Sequence, residues 1–211
     1  MAQQESWSDQ YRRRKDAERR FGKSVFKLPL AKRASDLLVN TVRDGWSILE
    51  VGAGDRQMES LLRNSQSEIR YWSMDPDPSG EHDFRTLEEI TDCYDCVFAF
   101  EVVEHLTLEE AGQWLRELFR ITKPGGTLLL STPNTFYPPA YLRDVTHKTP
   151  WCYDELAGFV AGAGFRPESI SRIYNDAAHR YLARRFLLGW VFRLAGIDFA
   201  KQIVLTASKS N

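Results

Sequence analysis

Glu101, Glu104 and His105 stand at i, i+3 and i+4, so a helical turn there puts two carboxylates and an imidazole on one face. A further imidazole arrives later in Asp144-Val145-Thr146-His147. Two chemistries suit such a group. An imidazole that titrates near neutrality can take the proton of a hydroxyl acceptor, which makes His147 and His105 candidate general bases. Two carboxylates and two imidazoles can instead ligate a divalent metal. Each histidine also has a purely structural reading: His105 packs or caps the helix that starts near 107, and His147 orders its loop.

A second set of acids follows a glycine turn. Ser47-Ile48-Leu49-Glu50-Val51-Gly52-Ala53-Gly54-Asp55 reads as a buried strand running into a tight turn that opens a helix. Gly52 and Gly54 let the backbone take positive φ and approach a ligand, and the helix start offers unpaired N–H groups. Position 57, where a dinucleotide fingerprint has its third glycine, is Gln57. Glu50, Asp75 and Glu101 each fall at the carboxyl end of an apolar run. In an open α/β sheet that is where the ligand crevice lies. Asp75 comes about 20 residues after the turn, the spacing at which an acid accepts hydrogen bonds from ribose hydroxyls. Asp83-Phe84 offers an acceptor and an apolar wall for an adenine.

These residues need a scaffold. Residues 8–22 read as a charged helix, and Pro29 to Thr41 as a second one with Pro29 in its first turn. Strands are expected at 47–51, 69–74, 96–100, 127–131, 166–174 and 202–207, and helices at 57–63, 108–121, 154–163 and 181–195. Pro76, Pro78 and Gly80 leave too little chain for a crossover helix between Asp75 and Asp83. Strands alternating with helices predict one α/β domain with a mostly parallel sheet. The 181–195 segment is apolar on more than one face, which predicts burial, with contact to a membrane or acceptor as the alternative.

Apolar residues make up 43% of the 211-residue chain and charged ones 27%, a globular composition with net charge −1. Residues 11–33 are locally basic, with ten Lys/Arg against Asp16 and Glu18. That cluster reads as a solvated helix face, with a nucleic-acid footprint as the alternative. Three cysteines, Cys93, Cys96 and Cys152, suit a reducing compartment, and Cys93/Cys96 lack the second pair of a zinc site. With a polar N-terminus and no membrane-length apolar run, the expected location is cytoplasmic.

The series ILEVGAGD, SMDPD, FAFEVVEHL and KPGGTLLLSTPN resembles class I S-adenosylmethionine-dependent methyltransferases over residues 45–174. The likeness is strongest to the branch that includes ubiquinone-biosynthesis O-methyltransferases and bacterial glycan methyltransferases. The resemblance implies a Rossmann-like, doubly wound sheet with an antiparallel C-terminal strand, and S-adenosylmethionine as cofactor. It implies that Gly52 and Gly54 approach the methionine part, Glu50 helps fix its ammonium group, and Asp75 holds the ribose. Asp83 and Phe84 would then frame the adenine, and Glu101 close the pocket.

Residues 1–44 would cap the cofactor site, with Trp7 or Tyr11 as a lid, and 45–211 would form the methyltransferase core. The implied function is O-methylation of a small-molecule, glycan or lipid-linked acceptor, by a histidine base with no metal. E-x-x-E-H with a later H-x-x-x-W (His147 to Trp151) also resembles metal-dependent RNA 3′-terminal 2′-O-methyltransferases. Arg56, where the family has a small residue, opens a third reading: a catalytically silent S-adenosylmethionine-binding protein.

Overall fold

A computed structural model describes residues 7–66 and 68–210, with the side chain of Trp7 outside the description. Its elements, in chain order, are α1 (Trp7–Phe21), β1 (Leu30–Ala31), α2 (Ala34–Thr41), β2 (Ser47–Val51), α3 (Gln57–Ser65), β3 (Arg70–Met74) and β4 (Tyr94–Phe100). There follow α4 (Leu108–Ile121), β5 (Thr122–Pro133), α5 (Pro138–Leu142), α6 (Tyr153–Gly162), β6 (Arg166–Ile173), α7 (Ala178–Leu182), α8 (Gly189–Ala195) and β7 (Gln202–Ser208).

The strands form one sheet in the order β1-β6-β7-β5-β4-β2-β3. β7 runs antiparallel to β5 and β6, and the other pairs are parallel. The chain reverses its direction of travel across the sheet between β2 and β4, so the crevice beyond their carboxyl ends is the switch point.

Every residue of β2 is buried, as expected of a central parallel strand with both faces covered. Alternate side chains supply two cores. Ile48, Cys96, Phe98 and Leu129 pack with Leu38 and Leu62 of α2 and α3 on one face. Leu49, Val97, Ala99, Leu128 and Leu130 pack on the other with Ala111, Leu115, Leu118 and Ile121 of α4 and with Leu156 and Val160 of α6. The α4 residues recur at three- and four-residue spacing, and a Thr107/Glu110 capping box starts that helix.

Three expectations change. Leu30 and Ala31 do not begin a helix: they pair with Arg172 and Ile173 as an edge strand, and α2 starts at Ala34. The Arg172 N–H donates to Pro29 O at 2.8 Å, so the open edge of β6 captures a segment whose spacing alone fits a helix. The extended chain after α4 begins at Thr122 rather than Thr127 and continues through Gly125, which takes φ +74°.

The third change concerns 181–195, which is neither one helix nor buried. α7 leads into a π-helical turn over Ala183–Leu187, then α8, and Gly196 closes the run in the left-handed conformation. Tyr181 stacks on Tyr174 at 4.3 Å and Phe192 meets Phe199 at 5.6 Å, which docks one face. The opposite face is turned outward. The missing crossover is as expected: β3 and β4 are joined by a bridge between Met74 and Phe84 and a short 3-10 turn at Leu87–Glu89. Cys96 is buried and Cys93 exposed.

Candidate active site

The glycine turn is built by steric need at Gly52. Its φ is +75°, and a Cβ there would fall 2.4 Å from Val102 Cγ2, so the turn presses against the chain leaving β4. Gly54, at φ +49°, has open space where a Cβ would project. Its N–H donates to Asp75 Oδ2 at 2.9 Å, and Asp75 Oδ1 accepts from the Asp77 N–H at 2.9 Å. Asp75 thus sits beside the turn with both oxygens anchored by backbone, and each keeps a further lone pair for a ribose hydroxyl.

Arg56 takes φ +58° at the start of α3, a left-handed conformation that costs a non-glycine residue about 1–2 kcal/mol. Its side chain accounts for its presence. Nε donates to Glu59, Nη1 to Glu81 O at 2.9 Å, and the guanidinium lies over the Tyr71 ring at 5.6 Å. The bulky residue therefore straps the 81–83 loop to the turn, and the turn forms around it.

Asp83 and Phe84 meet β3 rather than standing free. Asp83 Oδ2 accepts from Ser73 N at 2.8 Å and Ser73 Oγ at 3.0 Å, while Phe84 bridges Met74. Together they extend the sheet edge next to Asp75, whose N–H donates to Phe84 O.

Glu50 is 5% exposed, and the Tyr71 hydroxyl donates to its carboxylate. Burial pushes its pKa up to about 7 in spite of that hydrogen bond. A buried carboxyl held near neutrality fits a cationic ligand group. A carboxyl with a raised folded pKa costs stability as pH climbs from its unfolded value through about 7. A bound ammonium would reverse that penalty by favouring the ionised form. The affinity for S-adenosylmethionine is therefore expected to rise by up to about tenfold per pH unit below 7, level off above it, and lose this slope in Glu50→Gln. Calorimetric titrations between pH 5.5 and 8 check it, and a flat wild-type profile would remove Glu50 from the ammonium site.

Glu101, expected to close the cofactor pocket, stands at the end of β4. It takes φ +55°, its N–H donates to Ser131 Oγ at 3.0 Å, and Ser131 Oγ donates back to its Oε1 at 2.8 Å. This carboxylate lines a cavity of roughly 440 Å³ with Glu104, His105, Tyr137, Arg143 and His147. Glu104 and His105 share a 3-10 turn over Val103–His105, and Glu101 precedes that turn rather than lying in it. The 144–149 loop is clipped onto that turn, because Lys148 N and Thr149 N both donate to Glu104 O. Trp151 Nε1 donates to Val103 O at 3.0 Å from full burial, which is what the tryptophan after His147 does here.

The hydrogen bonds fix both imidazoles. His147 Nδ1 lies 2.7 Å from Tyr141 O, a pure acceptor, so Nδ1 carries the proton and Nε2 the lone pair. Thr146 Oγ1 donates to Asp144 Oδ1 at 2.6 Å and is left to accept from His105 Nδ1 at 2.9 Å, which gives His105 the same tautomer. Sequence reasoning singled out neither Tyr141 nor Thr146; the Asp144-Val145-Thr146-His147 run was the available signal. One ring nitrogen from each histidine and a Glu104 oxygen lie within 4.8 Å of one another.

Glu104 is fully buried, and among the described residues neither carboxylate oxygen has a well-formed hydrogen bond; the Thr132 hydroxyl, buried and otherwise unpaired, is near enough to oppose the rise in its pKa. Burial, reinforced by the neighbouring Glu101 charge, raises its pKa. Glu101 is raised by burial as well, with Ser131 and Gln202 opposing.

The N-terminal helix packs on α6, where Gly158 leaves room for the backbone of Arg13 and Arg14. Its basic residues are largely matched by acids: Arg12 with Asp9, Arg14 with Asp154 and Glu155, Lys15 with Glu18, Arg19 with Asp16 and Arg20 with Glu168. Tyr11 borders a groove with Leu108, Pro150 and Trp151. The side chain of Trp7, the other lid expected, lies outside the description.

A methyltransferase-domain family model matches residues 12–198. The chain belongs to that family. As its members do, this methyltransferase domain uses S-adenosylmethionine, and the turn, Asp75 and the buried Glu50 suit that cofactor. It is similar to a probable S-adenosylmethionine-dependent methyltransferase of Mycolicibacterium smegmatis, 34% identical over 39% of this chain and 33% of that relative, so the match spans about a third of the relative's length. Its fold is similar to an S-adenosylmethionine-dependent methyltransferase from Archaeoglobus fulgidus, with TM-score 0.61 and 17% identity over 91% of this chain and 97% of that one. It is also similar to a complex of the Haloferax volcanii Trm112 methyltransferase activator with a methyltransferase, with TM-score 0.60 and 16% identity over 84% and 89% of the two chains. Among the described residues, no helix of the domain is long and apolar enough to cross a membrane.

Proposed function

We propose that this domain transfers the methyl group of S-adenosylmethionine to an oxygen of a small-molecule, glycan or lipid-linked acceptor, and that the acceptor site holds a divalent cation on Glu104, His105 and His147, with Glu101 beside them. The observation that carries the reading is the buried Glu104 carboxylate, without a well-formed hydrogen bond, within 4.8 Å of a ring nitrogen of each of two imidazoles whose Nδ1 protons are already engaged. Buried carboxylates without partners are costly, and metal-binding histidines characteristically give their other N–H to a carbonyl or carboxylate-linked group. A divalent cation there would lower the pKa of an acceptor hydroxyl and orient it.

The rest is done by the chain. On the cofactor side, Glu50, Gly52, Gly54 and Asp75 would hold the methionine and ribose parts, with Asp83 and Phe84 bordering the adenine. A sulfonium is an activated methyl donor, so alignment and exclusion of water supply most of the catalysis. Gly52 pressed on Val102 puts the donor turn next to the β4 end that carries Glu101, which supports transfer between adjoining pockets.

A second reading keeps the same acceptor class without a cation. The lone-pair nitrogen of His147, its ring oriented by Tyr141 O, would then act as general base, assisted by His105. An RNA acceptor gains little support, because the α1 arginines are engaged with acids. Catalytic silence rested on Arg56, whose side chain straps the turn instead of filling it.

Thermal melts of chelator-stripped protein test the cation directly. Saturating Mg²⁺ or Mn²⁺ at about 100 times Kd should add about 2.7 kcal/mol, or about 5–10 °C for a domain of this size, and Glu104→Gln should abolish the shift. No shift in the wild type, or an equal one in the variant, would leave only the base reading.

A further inference from the structure

The α7–α8 segment displays an apolar surface that nothing in the fold covers. Phe186 and Leu187 are each 71% exposed, Trp190 67% and Leu194 81%, with Leu182 and Val191 also exposed. They recur at three- and four-residue intervals, so they share one side of the run, while Tyr181 and Phe192 hold the other side to Tyr174 and Phe199. Exposed contiguous apolar surface of this kind marks a contact site.

The charge within the segment is of one sign. From 177 to 197 the chain has no Asp or Glu, and it carries Arg180, Arg184, Arg185, Arg193 and His179. Asp176, just before the segment and nearly buried, holds Arg184 at 2.7 Å and lies 3.9 Å from Arg180. Arg185 lies over the Phe186 ring at 5.9 Å, and Arg193 adds a further charge on α8.

We infer that this face docks on an anionic lipid surface, with Phe186, Leu187, Trp190 and Leu194 entering the headgroup–acyl boundary and the arginines meeting lipid phosphates. The chemistry is that of an interfacial amphipathic helix: an apolar face with an aromatic anchor, flanked by cations. Self-association fits less well. A two-fold contact would set arginine clusters against one another, with no carboxylate in the segment to pair them.

The docking claim goes beyond the proposed reaction and does not depend on it. It has a geometric consequence for the acceptor, though. Asp176 also lies 3.7 Å from Lys201, and Lys201, Gln202 and Asn175 line the Glu101–His147 cavity. The docked face is therefore tied to the wall of the acceptor cavity, which would bring a lipid-linked acceptor within reach.

Co-sedimentation of the full chain with vesicles tests the inference. Phosphatidylcholine vesicles containing phosphatidylglycerol should bind it, and pure phosphatidylcholine vesicles should bind it much more weakly. The exposed-face variant Phe186→Ser/Trp190→Ser/Leu194→Ser should lose binding while keeping the wild-type melting temperature. Arg185→Gln and Arg193→Gln should each weaken anionic-vesicle partitioning about fivefold, the factor that corresponds to about 1 kcal/mol per basic residue. Absence of vesicle binding by the folded wild type would overturn the inference. So would a concentration-dependent dimer that excludes vesicles and is abolished by the triple variant, since the face would then serve a second copy.

Discussion

Replacing His147 by alanine is expected to lower methyl transfer by about 100-fold or more, since losing even an outer-shell partner of a metal ligand costs about 10- to 100-fold; a base in the same place would contribute roughly 100- to 10,000-fold. The ring is oriented by Tyr141 O, sits 4.9 Å from His105 between centroids, and shares its cluster with a buried Glu104. Within the loop, Asp144 Oδ2 lies 3.9 Å from its Nε2 and lines the same cavity. Release of S-adenosylhomocysteine in the presence of saccharide and phenolic acceptors is the readout. Chelation should abolish wild-type activity and added divalent ion restore it, and excess ion should partly rescue His147→Ala. Wild-type activity that survives chelators, together with a variant that no ion rescues, would transfer the role to a metal-free base. A variant with wild-type turnover would remove His147 from the chemistry altogether.

Asp75→Ala is expected to weaken S-adenosylmethionine binding by about 2–4 kcal/mol, or roughly 30- to 1000-fold. Hydrogen bonds to a charged group contribute about 1.5–3 kcal/mol each, and water recovers part of that in the variant. In the proposed reading two ribose hydroxyls would donate to Asp75. Asp75 also accepts from Gly54 N and Asp77 N, so the unliganded variant should lose about 1–2 kcal/mol of stability as well. Cofactor affinity must fall by more than the fold loosens. Unchanged affinity in a variant with a lowered melting temperature would make Asp75 a brace for the glycine turn and nothing more.

The fold was legible where local pattern and tertiary demand agree. The apolar runs of β2 and β4 and the amphipathic spacing of α4 each admit one environment, so strand, helix and burial follow together. Leu30–Ala31 was not legible, because a two-residue edge strand is stabilised by the partner it finds on β6, not by its own periodicity. The 181–195 run failed for a related reason. Apolar residues on several faces, interrupted by arginines, suit a buried helix and an interfacial one equally well.

At the site, the spacing of Glu104 and His105 on one turn was legible. The state of the histidines did not show in the sequence, since it depends on Tyr141 O and on the Thr146–Asp144 relay, contacts made across loops. The place of Glu101 at a strand end was legible; its left-handed backbone and its place in the wall of His147's cavity were not. Arg56 was a local irregularity in the sequence, and only its reach to Glu81 and Tyr71 accounts for it.

Calorimetric titration of S-adenosylmethionine and S-adenosylhomocysteine into the purified chain tests the central claim most directly. The account predicts one site per chain for both ligands, with tighter binding of S-adenosylmethionine at pH 8 than at pH 6 through Glu50. Absence of binding by either ligand to folded protein would contradict it.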